Sequence, residues 1–187
     1  MPFIKTDFPG LLIFDPVVFG DERGYFFESY NEKTFARDGD INIKFVQDNQ
    51  ARSVYGVVRG LHFQNNPFAQ TKLIRVLEGS ILDVVVDLRV GSPSYAKSYS
   101  IELSAANKKQ LLVPQGFAHG YSVLSETAEV FYKCDNFYSK DAEGGLAYND
   151  PSLQINWQIP AGKMILSAKD ELHPVFADCR HNFVFEQ

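Results

Sequence analysis

With 187 residues, 45% of them hydrophobic, the chain can fill one good core but not two full domains. A formal net charge of -5 argues against a nucleic-acid binder, which needs a basic face, so an anionic ligand must be held by local cations. No apolar run approaches the roughly 18 to 20 residues that span a bilayer. No N-terminal stretch has a signal-peptide profile, and Cys134 and Cys179 lack metal-ligand spacing, so a cytoplasmic protein with reduced thiols is expected.

The apolar segments are short and closely spaced. In chain order they run Gly10 to Val18, Gly24 to Ser29, Ile43 to Val46, Gly56 to Phe63, Lys72 to Leu77, Ser80 to Leu88, Tyr99 to Leu103, Lys109 to Val113, Ala118 to Leu124 and Ala128 to Phe137. Turn residues punctuate them at Gly20-Asp21-Glu22, Asn65-Asn66-Pro67, Glu78-Gly79, Gly91-Ser92-Pro93 and Pro114-Gln115-Gly116. The pattern predicts an all-β sandwich or barrel. Helix is expected only at Asn31 to Asp38, where Asn31 can cap and Phe35 can pack, and as a turn at Ser167 to Glu171. No repeat, low-complexity tract or linker divides the chain, so a single domain over residues 1–187 is expected.

Side chains on a strand alternate between its faces. Lys72 shares a face with Ile74 and Val76, Tyr132 with Val130 and Cys134, and His62 with Val58 and Gln64. An imidazole, an ammonium and a phenol are therefore expected inside one barrel. Taken alone, a strand histidine is more often an ordinary core or surface residue, but burying such groups is costly unless they are paired. Arg59 has the opposite parity to His62 and turns inward only if Gly60 marks a bulge that resets the alternation.

Three chemistries compete for these residues. Pro114-Gln115-Gly116-Phe117-Ala118-His119 reads like the second histidine segment of a metal-binding barrel, yet His62 is followed by Phe63 and Gln64 where such a barrel wants a His-x-His pair. With no carboxylate or third histidine evident beside the two imidazoles, and Lys72 repelling a cation, no metal is expected. Cys134 has no base-pairing context and no nucleophile-elbow sequence occurs. Proton abstraction next to a ketone fits better, because it needs a base near neutrality, an electrophile for the enolate oxygen and an acid to return the proton. His62, Lys72 and Tyr132 supply those groups.

Several stretches, in order along nearly the whole chain, resemble the dTDP-4-dehydrorhamnose 3,5-epimerase family. They are Asp21-Glu22-Arg23-Gly24-Tyr25-Phe26-Phe27-Glu28, Gly56 to Gln64, Val86-Asp87-Leu88-Arg89, Val113 to Gly120, Tyr132-Lys133 and Tyr148-Asn149-Asp150-Pro151. The resemblance implies a cupin-like double-stranded β-helix (jelly roll) with short peripheral helices, a homodimer, and no metal or organic cofactor. It also implies a nucleotide-sugar substrate, dTDP-4-dehydro-6-deoxy-glucose, epimerised at C3 and C5 to the L-configured 4-dehydrorhamnose.

Position by position, it makes His62 the base, Asp170 its orienting carboxylate, Lys72 the enolate stabiliser and Tyr132 the acid. Arg23, Arg59 and Lys169 are implied contacts to the diphosphate and sugar, and Glu28, Gln47, Asn49, His119 and Glu143 are implied polar contacts. Tyr138 is placed to stack on thymine. By sequence alone Asp170 reads as part of a solvated charge cluster, and Asp83, between Ile81 and Val85, is a rival orienter. Ala51 and Phe63 stand where the family often has serine and tyrosine. Retention of Tyr132 favours double epimerisation over a C3-only epimerase or ketoisomerase. A non-catalytic sugar-nucleotide-binding jelly roll and a metal-dependent barrel are the remaining alternatives.

Overall fold

A computed structural model describes residues 2–186. The first half of the chain forms β1 (Phe3–Lys5), β2 (Leu12–Phe14), β3 (Phe19–Asp21), β4 (Gly24–Phe26), α1 (Glu32–Gly39), β5 (Gln47–Val54), β6 (Val58–Gln64) and β7 (Lys72–Glu78). The second half forms β8 (Ser80–Asp87), β9 (Ser98–Ser104), β10 (Gln110–Val113), β11 (Phe117–Val123), β12 (Thr127–Cys134) and β13 (Glu143–Gly145). Beyond β13 the described residues hold only short 3-10 turns and bridges.

Two large sheets face each other, one in the order β1-β2-β10-β7-β12-β5 and one in the order β13-β6-β11-β8-β9; β3 and β4 make a separate hairpin. The strand pairs are antiparallel. This is the expected cupin-like jelly roll. Between the sheets pack Ile74, Val76 and Val130 from one side and Ile81, Val85, Leu103 and Val123 from the other. A second apolar layer covers the outer face of the five-stranded sheet, where Leu61, Phe63, Leu82, Val84 and Val86 meet Trp157 and Phe183 from the C-terminal segment. A third lies outside the six-stranded sheet, where α1 sets Phe35 against Phe14, Leu73 and Leu112.

This layering explains why Ser80 to Leu88 reads as a continuous apolar run: β8 is covered on both faces, so neither parity is free to be polar. Asp83 and Asp87 are the exceptions, and Asp83 is the one at the centre of the strand. It shares parity with Ile81 and Val85 and so faces the interior, fully buried.

The helix forms where expected, shifted by one residue, because Asn31 Oδ1 accepts from the free N–H groups of Lys33 (3.0 Å) and Thr34 (3.3 Å). Two expectations need correction. Gly10 to Val18 is strand only at Leu12–Phe14, since Pro16 has no N–H with which to continue the pairing. Ile43 to Val46 is not a strand; the chain pairs from Gln47 onward in β5, a polar strand without an apolar signature.

Candidate active site

The barrel interior opens into a cavity of about 430 Å³ between the two sheets, closed on one side by residues 165–170. His62, Arg59, Lys72, His119, Tyr132, Lys169 and Asp170 all line it. Four strands deliver the first five of these residues: β6 and β11 from one sheet, β7 and β12 from the other.

Arg59 and His62 both face the cavity because β6 is bulged. On β11, His119 pairs with His62 and Tyr121 with Arg59, so two steps on one strand oppose three on the other. The bulge falls at Gly60, whose φ is +118°, and a Cβ there would lie 2.6 Å from the Gly120 Cα. The same bulge moves Val58 to the outer layer with Leu61 and Phe63, correcting the expectation that it shares a face with His62. Gly60→Ala is expected to destabilise the fold by more than about 1 kcal/mol and to depress turnover by displacing both polar residues. Thermal denaturation and a rate measurement check this.

Each imidazole is paired with its own carboxylate. His62 Nε2 lies 2.5 Å from Asp170 Oδ1, and His119 Nε2 lies 2.5 Å from Asp83 Oδ1. Asp83 is therefore not the partner of His62. His62 and His119 thus each have a carboxylate beside them, contrary to the expectation that none stands there. Burial alone would raise the Asp170 pKa, but hydrogen bonds from His62 and Ser167 outweigh it and hold the carboxyl below its ordinary range. With Asp170 on Nε2, Nδ1 is the free nitrogen of His62.

On the facing sheet, burial pushes the Tyr132 phenol up to about 12, so it keeps its proton at neutral pH. Lys72 places its ammonium 5.9 Å from the centre of the Tyr132 ring, and burial draws its pKa down, opposed by the charges of Asp83 and Glu143 and by Cys134. The Cys134 thiol beside them is pushed up to about 11 by burial, which leaves it a poor nucleophile.

At the cavity mouth Lys169 is ion-paired with Glu143, and Tyr138 donates to Glu143 at 3.1 Å. Burial alone would raise the Glu143 pKa, but Lys169 and Tyr138 outweigh it and hold the carboxyl low. Tyr138 is exposed, with its ring free for stacking. Gln47 and Asn49 are joined to each other at 3.0 Å, and Gln47 also accepts from the Tyr138 backbone. Asn49 sits opposite Tyr132 in the β5–β12 register.

Arg23 and Glu28 stand apart from the cavity within this chain. Arg23 projects from the β3–β4 hairpin, 84% exposed and paired with Asp21, while Glu28 accepts from Asn31 and Thr34 at the start of α1. Three neighbours of the site escaped the sequence reading. Ser53 accepts from Arg59 at 3.1 Å, Tyr121 lines the cavity, and the His173 ring lies 5.4 Å from that of His62. Only the polar alternation of 47–54 could have signalled Ser53.

Comparison with known proteins agrees with this geometry. The family model described as dTDP-4-dehydrorhamnose 3,5-epimerase matches residues 5–178. A curated relative from Shigella flexneri, named dTDP-4-dehydrorhamnose 3,5-epimerase, is 49% identical over 95% of this chain and 97% of its own. The crystal structure of the enzyme of that name from Elizabethkingia anophelis superposes with a TM-score of 0.91 at 54% identity, covering 94% of this chain and 96% of the other. A Legionella pneumophila dTDP-6-deoxy-D-glucose-3,5-epimerase, solved in complex with dTDP-4-keto-L-rhamnose, gives 0.90 at 41% identity, covering 94% and 93%. Matched at this identity over nearly its full length, with its imidazoles, ammonium and phenol gathered in one barrel, the chain belongs to the dTDP-4-dehydrorhamnose 3,5-epimerase family.

Proposed function

We propose that the chain converts dTDP-4-dehydro-6-deoxy-D-glucose to dTDP-4-dehydro-L-rhamnose in dTDP-rhamnose biosynthesis, with His62 as base and Tyr132 as acid. The observation that carries this assignment is their placement on opposite sheets across one cavity. His62 removes the hydrogen at C3 or C5 as a proton. The electrons of the C–H bond move to the C4 carbonyl oxygen, and Lys72 stabilises the resulting enolate. Tyr132 then protonates the same carbon from the other side, inverting it; the phenolate recovers a proton from solvent and the His62 imidazolium releases one, which resets the pair.

Asp170 fixes the tautomer of His62 and stabilises the imidazolium formed on abstraction. Arg59 and Lys169 hold the diphosphate and sugar, supported by His119, Glu143, Gln47 and Asn49, and Tyr138 stacks on the base. Arginine suits this task because its fork engages phosphate oxygens in pairs. The cycle needs no cofactor, and its groups all belong to one domain.

A homodimer is part of this reading. Val17, Val18, Phe19, Tyr25 and Phe26 form an exposed apolar strip on and beside the β3–β4 hairpin, and a second copy would cover it. The same hairpin carries Arg23, and Glu28 follows it, so dimerisation is a route by which these contacts reach a neighbouring site. Sedimentation is expected to show a dimer, and a monomer at micromolar concentration overturns this part. A cytoplasmic location is supported by the unpaired Cys134 and Cys179; no helix among the described residues is long and apolar enough to cross a membrane.

Incubation with the substrate in D2O tests the whole assignment. Deuterium is expected at both C3 and C5. Label at C3 alone makes the chain a monoepimerase, and binding without label makes it a non-catalytic receptor.

A further inference from the structure

We propose that His62, Asp170 and His173 form a binding site for a late first-row divalent cation such as Zn2+, and that filling it switches the epimerase off. One ligand atom from each residue lies within 4.8 Å of the other two. The 3-10 turn Asp170–Leu172 begins with Asp170 and is followed directly by His173, so two donors come from one turn and the third from β6.

The spacing suits a metal. Donors about 2.0 to 2.1 Å from a tetrahedral ion stand about 3.3 Å apart. His173 Nε2 lies 3.6 Å from Asp170 Oδ1, too long for a hydrogen bond and close to that value. His62 Nε2 and Asp170 Oδ1, at 2.5 Å, are bridged by hydrogen, and the cation takes the place of that proton, which relocates through solvent to Nδ1 so that His62 ligates as a neutral imidazole.

Two further observations show that the pocket for His173 is built. Gly145 pairs with His62 in the β13–β6 register, and a Cβ at 145 would lie 2.4 Å from the His173 ring. Only a residue without a side chain leaves room there for the imidazole. His173 Nε2 is also buried without a hydrogen-bond partner. Two imidazoles and a carboxylate, with a remaining position toward the cavity, form a donor set suited to zinc.

Inhibition follows from where the ion sits. A cation on Nε2 fixes the ring proton on Nδ1, which leaves that nitrogen no lone pair for abstraction, and it removes the carboxylate that stabilises the imidazolium. This inhibitory half rests on the proposed role of His62; the binding half does not.

Calorimetric titration of the chelator-stripped protein with ZnCl2, paired with epimerisation assays, tests both halves. One Zn2+ per chain is expected, with micromolar or tighter affinity. His173→Asn is expected to weaken binding by at least about tenfold, to raise the zinc needed for inhibition in proportion, and to stay active in metal-free buffer. His173→Gln serves if the asparagine variant does not fold. Co2+ in place of Zn2+ is expected to give tetrahedral ligand-field bands without thiolate charge transfer. A thiolate band, which would point to Cys179, or equal zinc affinity with and without His173, or no stoichiometric binding, overturns the site. If His62→Asn loses zinc affinity but keeps epimerising, the base assignment fails and the site stands.

Discussion

His62→Ala is expected to lower both solvent-hydrogen exchange and inversion, at C3 and at C5, by about 10²- to 10⁴-fold, the range over which a positioned acid or base contributes. The two readouts should fall together, because abstraction precedes either event. The substitution also strips Asp170 of its close partner. That carboxylate is only 4% exposed, and leaving it short of a hydrogen bond should destabilise the fold by about 1 to 3 kcal/mol. A lower melting temperature with retained nucleotide-sugar binding is thus part of the expected result. Exchange at wild-type rate in this variant would remove His62 from the base role.

Tyr132→Phe is expected to separate the two readouts. The ring and its packing against Lys72 survive, but the O–H, protonated at neutral pH because burial lifts the phenol to about 12, is gone. His62 still removes and returns hydrogen on its own side, so deuterium enters with retention of configuration. Inversion falls by about 10²- to 10⁴-fold. Mass spectrometry reads the label, and a coupled reductase reads the inverted product. If inversion persists at the wild-type rate, a water or another group delivers the second proton.

The parts of the fold legible in the sequence are those where burial and strand period agree. β7, β8, β9, β10, β11 and β12 were visible because their core-facing residues are apolar, and α1 because Asn31 and Phe35 mark its cap and its buried side. β5 was not, for a functional reason. Its inward residues Gln47, Asn49 and Ser53 border a wet cavity instead of core, so the apolar alternation that announces a strand is missing. Arg59 was readable only conditionally, since its orientation depends on a backbone bulge that parity cannot foresee. The pairing of His62 and of His119 with a carboxylate was out of reach of spacing arguments. Asp83 lies 36 residues from His119 and Asp170 lies 108 residues from His62, and only the folded chain brings them together. Asp170 entered through family resemblance, and His173 carried no signal.

The order of strands within the two large sheets bears on how the chain reaches this state. Leu12 is matched with Leu112, and Gln47 with Cys134, so neither the β1–β2 hairpin at one end of the six-stranded sheet nor β5 at the other can join it through a local turn. Loop-closure entropy must be met before those pairings stabilise anything, which places the protein among slow, millisecond-to-second folders of high contact order. During synthesis, β2 waits for β10 to leave the ribosome, and the turn bearing Asp170 emerges later still. A nascent chain therefore acquires its complete constellation only once residue 170 has emerged, after all the strands that carry the other groups.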